Sequence, residues 1–481
     1  MLRLLAIAAG GVALRVAYLH QPMAYDEAYS FTNFARRPLV EAVADYNNTN
    51  NHPLNTLCMH FAWRILGQQD WALRLPALAA GSLVVLLAFP WAERRIGAAA
   101  ALVTTALVAA SPLLLDYSVN ARGYSFVLAF ALILDLALLR VRRAEEGTPR
   151  AATWAVAWMA GLLGFFSVPI MLYPFAASLL WFLLSPDKNR LRQAMVFVAA
   201  TGAGMLALYG PAYVFRGGTA GTNPFVHPLA AGEWAAAFPG ALLGGAERWG
   251  IGFVPGTLVA ALAAIALLVV RTDLGEKRSV WPWLAPFVAT FALMALQRVA
   301  PPPRLFLTLT PWVYGLAGGL AVASGKSLRF SDFSLQTARV RAASAIAVIF
   351  VAAAGFYPRN PILREPQQRE LGIGSVEPAI LAVRDGNLGD AGAPVRVLVP
   401  LPCDHPAIYY AAKHGLKAEI NGTLAPNETV LILCKRSESV GRTLDDVIVK
   451  PFAGPVRAAE FETVKEFEEL RIERATGFPK K

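Results

Sequence analysis

Long apolar runs recur along the first three quarters of the chain, and short polar connections separate them. A helix that crosses a bilayer core needs about 20 mostly apolar residues. This length predicts eleven membrane spans, at about residues 1–19, 71–91, 97–115, 124–141, 151–166, 168–185, 193–213, 256–270, 281–298, 304–323 and 341–357. The first run precedes Gln21-Pro22-Met23 rather than a convincing cleavage site, so we expect it to remain as a span. The predicted fold class is an α-helical polytopic membrane protein.

The distribution of charge predicts how these spans are oriented. The chain has 481 residues, 56% of them hydrophobic, and a formal net charge of +11. Its basic residues cluster in alternate connections, which is typical of cytoplasmic loops and argues against nucleic acid as a partner. The clusters are Arg94 and Arg95; Arg140, Arg142, Arg143 and Arg150; Lys188, Arg190 and Arg192; Arg271, Lys277 and Arg278; and Lys326, Arg329, Arg339 and Arg341. We therefore expect a cytoplasmic N-terminus and two long outer loops, at 20–70 and 214–255.

The composition changes after about residue 358, which predicts two domains. Residues 1–357 would form the membrane domain, whose first outer loop carries amphipathic helices at 38–45 and 53–67. Residues 358–481 would form a small extracytoplasmic α/β domain, with strands at 395–399 and 430–434 and helices at 406–414 and 463–471. Cys403 and Cys434 lie in this second domain. An oxidising compartment would permit a disulfide between them, and two reduced buried thiols are the alternative.

An acidic pair, Asp26 and Glu27, follows the first span. Burying a charge in the middle of a bilayer costs roughly 2.5–3.5 kcal/mol or more, so this pair is expected at the membrane surface. A carboxylate there suits proton transfer or cation binding, and a pair of solvated interface charges is the alternative. Adjacent side chains in an extended loop point in different directions. We expect Asp26 to face a substrate, and Glu27 to orient or hydrogen-bond a neighbour.

Three further places carry polar side chains that could serve a site. Asn51 and His52 precede a predicted helix, where His52 could hydrogen-bond an acid or a sugar hydroxyl or be structural. The connection between the third and fourth spans holds Asp116, Asn120, Arg122 and Tyr124, and the alternative there is an interface cap with an Asp116–Arg122 ion pair. Arg304 begins the tenth span, where a guanidinium could bind a phosphate or extend to lipid headgroups.

These segments together resemble the GT-C class of integral-membrane glycosyltransferases, nearest to the protein O-mannosyltransferases and the aminoarabinose transferases of lipid A. The resemblance is carried by Asp-Glu-Ala-Tyr at 26–29, His-Pro-Leu at 52–54, Ala-Leu-Arg-Leu-Pro at 72–76, Tyr-Ser-Val-Asn-Ala-Arg-Gly-Tyr at 117–124 and Pro-Arg-Leu-Phe at 303–306. It is strongest over residues 14–126 and extends over the first two thirds of the chain. The C-terminal domain is not diagnostic.

The resemblance implies inverting transfer of a sugar from a polyprenyl-phosphate donor on the outer face of the membrane. Asp26 would be the catalytic base, Glu27 would belong to the same motif, and Arg122 and Arg304 would hold the donor phosphate. Many relatives have Glu where this chain has Asn120. That difference puts a metal-bridging role in doubt, unless the carboxylate of Asp116 takes it over.

The resemblance predicts no certain cofactor and leaves a divalent cation open. Its expected partners are the lipid-linked donor, membrane lipid, and an acceptor that could be a glycolipid, a glycan or a protein. The composition suits a multi-pass protein of a bacterial inner membrane. Two other functions are weighed against it: a transporter or lipid flippase with Asp26 as the proton or ion site, and an assembly subunit whose outer domain binds a partner. The absence of paired halves in the sequence disfavours the transporter.

Overall fold

The computed structural model describes residues 2–46, 50–143, 151–184, 189–216, 228–251, 254–273, 281–299, 303–323, 349, 373–386, 395–399, 402–422, 430–435, 460–467 and 470–476. Helices dominate the part before residue 324. They are α1 (Leu2–Ala17), α2 (Tyr25–Ser30), α3 (Leu39–Ala44), α4 (Pro53–Leu66), α5 (Asp70–Ile96), α6 (Ala98–Ala110), α7 (Pro112–Ser118), α8 (Tyr124–Arg143), α9 (Ala151–Ser167), α10 (Leu172–Leu183), α11 (Arg190–Arg216), α12 (Ala231–Glu247), α13 (Gly256–Asp273), α14 (Trp281–Gln297) and α15 (Thr310–Ala323).

Four of the described helices are long and apolar enough to cross a membrane: Asp70–Ile96, Tyr124–Arg143, Arg190–Ala212 and Arg304–Val322. Helices α6 and α7 form a fifth candidate, bent by 57° at the break between them. The prediction of a mostly helical membrane protein with a small C-terminal α/β domain is confirmed. The predicted number of eleven spans stays a prediction, and the span at 341–357 lies outside the described residues. The described part of the second outer loop, at 214–255, contains helix α12, and its place outside the membrane stays a prediction.

The chain divides into two compact units, and the first comprises residues 1–19, 43–58 and 74–361. Arg15 is fully buried within it. Its guanidinium donates to Ser118 Oγ at 3.0 Å and to the carbonyl oxygens of Gly11 and Ala109 at 2.9 and 3.0 Å. Because a buried charge needs such partners, Arg15 ties α1 to α6 and α7.

A second buried charge in this unit joins α5 to α8. Asp135 Oδ2 accepts a hydrogen bond from Trp91 Nε1 at 2.7 Å and forms an ion pair with Arg95. The Arg95 guanidinium also lies over the Trp91 ring, 4.6 Å from its centroid. Removing one partner of a buried ion pair typically costs 3–5 kcal/mol because the other charge is left buried and uncompensated, so Arg95 and Asp135 depend on each other.

The second unit comprises residues 20–42, 59–73 and 362–481. The sequence prediction placed its first two segments in the membrane domain, and the predicted boundary at 357/358 stays a prediction. Its C-terminal part contains α16 (Val376–Asp385), β1 (Val395–Leu398), α17 (Asp404–Lys413), β2 (Ala418–Ile420), β3 (Val430–Lys435), β4 (Glu460–Glu466) and β5 (Leu470–Thr476). The sheet order is β2-β1-β3-β5-β4; β1 pairs in parallel with β2 and β3, and β5 pairs antiparallel with β3 and β4.

The segment 463–471 and the two cysteines of this unit differ from one or both sequence expectations. The helix predicted at 463–471 is wrong, because strands β4 and β5 occupy these positions. Leu470 and Ile472 are both fully buried, and this alternation of two residues is typical of a strand rather than a helix. Cys403 and Cys434 are buried reduced thiols, which was the alternative to a disulfide.

Candidate active site

The first unit brings His52 and Arg122 together. His52 lies just before α4, where Pro53 occupies the first helical position and the preceding residue favours extended backbone. Arg122 Nη1 donates to Asn50 Oδ1, and the Gly123 N–H donates to His52 Nδ1 at 2.9 Å. Gly123 has no space for a side chain: an added Cβ would lie 3.0 Å from the Ser167 carbonyl oxygen. Tight backbone packing therefore fixes the position of Arg122.

The hydrogen bond from Gly123 determines the tautomer of His52. A backbone N–H can only donate, so Nδ1 is the acceptor and the neutral ring carries its proton on Nε2. That nitrogen lies 3.4 Å from Nη2 of Arg122, which is itself a donor. Two donors close together, neither of which can accept from the other, form a local arrangement that favours an anion.

A second guanidinium contributes to the same electrostatic environment. Burial lowers the pKa of the His52 imidazole well below its ordinary range, and the positive charges of Arg122 and Arg304 lower it further. Arg304 itself is partly exposed in the 3-10 turn Pro303–Leu309. His52 is therefore neutral at pH 7, and three of the predicted site residues act in one positive environment.

Aromatic rings flank this cluster. The Tyr124 ring meets the His52 ring edge to face at 5.1 Å, and the Arg122 guanidinium carbon lies 5.7 Å from its centroid. The Tyr117 ring also packs against the Tyr124 ring, with the two ring centroids 4.7 Å apart. Burial raises the pKa of Tyr46 to about 12, and the nearby Tyr124 contributes to the shift. The Arg122 guanidinium beside the Tyr124 ring is buried, and low solvent exposure strengthens its interaction with an anion.

Asn51 supports the cluster from inside the protein. It is fully buried, its Nδ2 donates to the Asp45 carbonyl at 2.7 Å, and its Oδ1 accepts from Thr56 Oγ1 at 2.8 Å. A neighbouring amide, Asn55 Nδ2, donates to the Ala121 carbonyl at 2.9 Å. Asn51 therefore shapes the loop that carries His52, while Asn55 connects α4 to the segment that carries Arg122.

Asp116 and Asn120 occupy the bend between α7 and α8. Both are partly exposed residues, and Asp116 lies in the last turn of α7. The amide oxygen Asn120 Oδ1 is buried and has no hydrogen-bond partner among the described residues. A buried acceptor without a partner is uncommon in native proteins, so this oxygen is a candidate to bind substrate or water.

Asp26 and Glu27 lie in the second unit, in the first turn of α2. The expected extended loop is therefore wrong, and the reason lies in Glu27. This side chain is fully buried, and its Oε2 accepts from the Ala24 N–H at 2.9 Å, which satisfies one of the amides at the start of the helix. Asp26 is partly exposed, so one carboxylate of the pair is structural and the other is accessible.

Sequence reasoning missed a second polar pair in this unit, Asp404 and His405. The His405 ring packs edge to face on Tyr29 at 4.5 Å and on Tyr25 at 5.1 Å. Asp404 Oδ1 and His405 Nδ1 are buried with no hydrogen-bond partner among the described residues. The tripeptide Asp-His-Pro at the start of a predicted helix was the available signal, but no local pattern connects it to Asp26.

The ionisation of this group follows from burial. Burial raises the pKa of Asp404, partly offset by His405, and lowers the pKa of His405, partly offset by Asp404. Burial, together with Asp404, Tyr29 and Asp26, raises the pKa of Tyr25 to about 12. Tyr25 therefore stays a neutral hydrogen-bonding phenol beside two carboxyl groups at neutral pH.

No three His, Cys, Asp or Glu side chains come together to hold a metal ion within the described ranges. The acids of the second unit have His405 and two tyrosines around them, and the described cluster in the first unit is dominated by nitrogen donors. The steps proposed below use only these side chains.

Comparisons with known proteins place this arrangement in a class. The family described as dolichyl-phosphate-mannose-protein mannosyltransferase matches residues 50–214. No curated protein sequence matches the chain. Together with the structural similarities, this match confirms the resemblance predicted from the sequence, and the fold is that of the GT-C class of membrane glycosyltransferases.

Two solved proteins illustrate the similarity. ArnT from Cupriavidus metallidurans bound to undecaprenyl phosphate is 12% identical, with a TM-score of 0.59 over 98% of this chain and 97% of that one. Its apo state gives a TM-score of 0.61 at the same identity and coverage. The Archaeoglobus fulgidus oligosaccharyltransferase AglB, in complex with an inhibitory peptide and a dolichol-phosphate, is 12% identical, with a TM-score of 0.53 over 85% of this chain and 63% of that one.

Proposed function

We propose that this chain is an inverting glycosyltransferase that moves a sugar from a polyprenyl-phosphate donor to a cell-envelope acceptor. The reaction would take place on the outer face of a bacterial inner membrane, with the N-terminus in the cytoplasm and the C-terminal domain outside. The GT-C fold supports lipid-linked sugar transfer in general. Similarity to proteins solved with undecaprenyl phosphate and with a dolichol-phosphate supports the donor class.

The observation that carries this proposal is the meeting of donors at His52 and Arg122. The Nε2–H of a neutral imidazole and a guanidinium nitrogen lie 3.4 Å apart, and the charge of Arg304 acts on the same imidazole. The phosphodiester of the donor and the polyprenyl phosphate that it releases both offer acceptor oxygens to such a group, and guanidinium binds phosphate oxygens well. Arg122 and Arg304 therefore have the chemistry to bind the donor phosphate and to stabilise the charge that develops on it.

The accessible carboxylate of Asp26 takes the role of base. It removes the proton from the acceptor hydroxyl, whose oxygen forms a bond to the anomeric carbon of the sugar. The bond from that carbon to the phosphate oxygen breaks, and polyprenyl phosphate leaves with the electron pair. A single displacement inverts the anomeric centre. A phosphate leaving group needs charge stabilisation more than a general acid, and a base contributes about 10²–10⁴-fold.

Glu27, Asp404 and His405 act as positioning residues in this proposal. Glu27 fixes the first turn of α2 through the Ala24 amide, and the His405 ring packs against Tyr25 and Tyr29 on either side of the acids. The orientation of the Asp26 carboxylate then depends on packing within the second unit. Asn51, Asp116, Asn120 and Tyr124 remain candidates for contact with substrate or for support of the donor group.

The experiment supplies purified protein with polyprenyl-phosphate donors that carry different radiolabelled sugars. Glycolipid, glycan and protein fractions of the cell envelope are added one at a time. We expect label to appear in one fraction, with an equal amount of polyprenyl phosphate released. Movement of labelled lipid across sealed vesicles without cleavage of the sugar–phosphate bond would instead indicate a transporter, and would overturn the proposal.

A further inference from the structure

A groove of about 560 Å³ lies between the N-terminal parts of α9 and α11, and none of the proposed site residues lines it. It is lined by Trp154, Trp158, Arg192, Gln193, Phe197 and Ala200. Phe197 forms a buried apolar wall, with its ring 5.9 Å from Trp154. The groove is therefore polar in the first turn of α11 and apolar further along that helix.

The Trp158 ring forms one side of this groove. Its indole nitrogen is inaccessible to solvent, so a molecule in the groove would contact the ring and not the N–H. The ring packs closely on α11, since an added Cβ at Gly204 would lie only 3.3 Å from its Cζ2. The groove therefore offers an occupant an aromatic wall beside its basic end.

Arginines surround the same end of the bundle. Arg142 donates to the carbonyl oxygens of Trp181 and Leu184, and Arg143 Nη2 donates to the Arg94 carbonyl at 2.7 Å. These contacts join the ends of α5, α8 and α10, and Arg190 in the first turn of α11 donates to the Val141 carbonyl of α8 at 3.4 Å. The sequence predicts that these helix ends face the cytoplasm, where anionic lipids attract basic residues.

We propose that this groove binds one anionic phospholipid of the cytoplasmic leaflet. Its phosphate would accept from Arg192 and Gln193, and an acyl chain would lie along the rings of Trp158 and Phe197 and along Ala200. The basic end of the groove is complementary to an anionic headgroup, and its apolar body is complementary to an acyl chain. Tryptophan is also enriched at the depth where headgroups meet acyl chains.

Native mass spectrometry of the detergent-purified full chain tests this proposal, with dioleoyl phosphatidylglycerol and dioleoyl phosphatidylcholine as probes. We expect one phosphatidylglycerol per chain to be retained preferentially. Arg192→Gln should weaken it about fivefold, the effect of one basic residue near a membrane surface. Trp158→Phe should leave it nearly unchanged, because an aromatic ring remains and the N–H does not face the groove.

Matched controls distinguish lipid binding in this groove from general electrostatic attraction to basic residues. Arg3→Gln removes an exposed charge predicted on the same face, and Trp234→Phe makes the same ring change at an indole that already donates to the Val299 carbonyl. Both should bind phosphatidylglycerol as the unmodified chain does. Ala200→Trp should block the groove without removing a polar group. Equal retention of the two lipids, or equal affinity in all variants, would show annular lipid only and would overturn the site.

Discussion

The basic cluster of the first unit and the acidic helix of the second hold their charges in different ways. Arg122 is only 4% exposed and is held by Asn50, the Tyr124 ring and the rigid backbone at Gly123. Asp26 lies on the accessible side of a single helical turn whose other acid is buried. Firm positioning suits a group that binds a phosphate throughout the reaction. Partial exposure suits a carboxylate that exchanges a proton with substrate and then with water.

The acidic helix is where a single substitution should have the largest effect. Asp26→Asn removes the proposed base with little change of shape, so we expect turnover to fall about 10²–10⁴-fold. Affinity for polyprenyl phosphate and the melting temperature should be unchanged. Release of polyprenyl phosphate and lipid binding are measured on the same preparation. Asp385→Asn, at an exposed carboxylate of the same unit, should retain full turnover. Normal turnover in Asp26→Asn would remove the assignment of the base.

A substitution in the basic cluster should weaken lipid binding and not only slow turnover. Arg122→Gln keeps hydrogen-bonding capacity but loses the charge, and charged hydrogen bonds contribute about 1.5–3 kcal/mol. We therefore expect affinity for undecaprenyl phosphate to fall roughly 10- to 100-fold, measured by binding of the lipid alone. Arg64→Gln, at an exposed arginine, is the charge-matched control. Equal loss of affinity in Arg64→Gln would mean that net charge, not this cluster, binds the lipid.

Substitution of His405 tests whether the C-terminal part of the second unit helps to position Asp26. His405→Ala removes two aromatic contacts worth about 0.5–1.5 kcal/mol each, so we expect kcat to fall roughly two- to tenfold. Polyprenyl phosphate affinity should not change. His405→Phe restores the ring without the nitrogens and should recover most of the activity. A loss of thermal stability in His405→Ala with normal kcat would show a purely structural contact.

The smallest effect concerns the pH dependence of stability. The pKa of His52 is lowered in the folded protein, while an unfolded histidine titrates near 6.5. Both states hold a neutral ring above about pH 6.5. Below it the unfolded state takes up a proton that the folded state does not, so the free energy of unfolding falls, by at most about 1.4 kcal/mol per pH unit.

Melting temperatures of the ligand-free protein between pH 7.5 and 5.5 check this expectation. His52→Gln should flatten the slope, whereas His20→Gln, at an exposed histidine, should leave it unchanged. A slope that is the same in all three proteins would contradict a buried neutral imidazole at position 52.

Much of the fold was predictable because bilayer length and sheet burial leave strong periodic patterns. Apolar runs gave the helices of the bundle, and the run of apolar residues at 430–434 gave strand β3. The pattern failed at 463–471, where Glu and Lys favour a helix while burial alternates at Leu470 and Ile472. Tertiary pairing with β3 decided that segment, and pairing between distant strands leaves no short-range signal.

The candidate site was predictable only as separate residues. Asp26, Arg122 and Arg304 became candidates because charges near an apolar run need a reason, and His52 because it could hydrogen-bond an acid or a sugar hydroxyl. The role of Glu27 in its own helix depends on a backbone geometry that the extended-loop expectation missed. The His405 ring packs on Tyr29, which is far from it in the sequence. No local sequence pattern indicates such a contact.

The second unit assembles early and late pieces of the chain, and this has a consequence for biosynthesis. The Met23 N–H donates to the hydroxyl of Tyr410, 387 positions later, and Asp70 accepts from Lys413. During translation the segment with the acids is made long before its packing partners. It would therefore reach its final packing only after the residues around 410 have been synthesised. A chimera that exchanges the tail at residue 362 would have to bring 20–42 and 59–73 from the same parent.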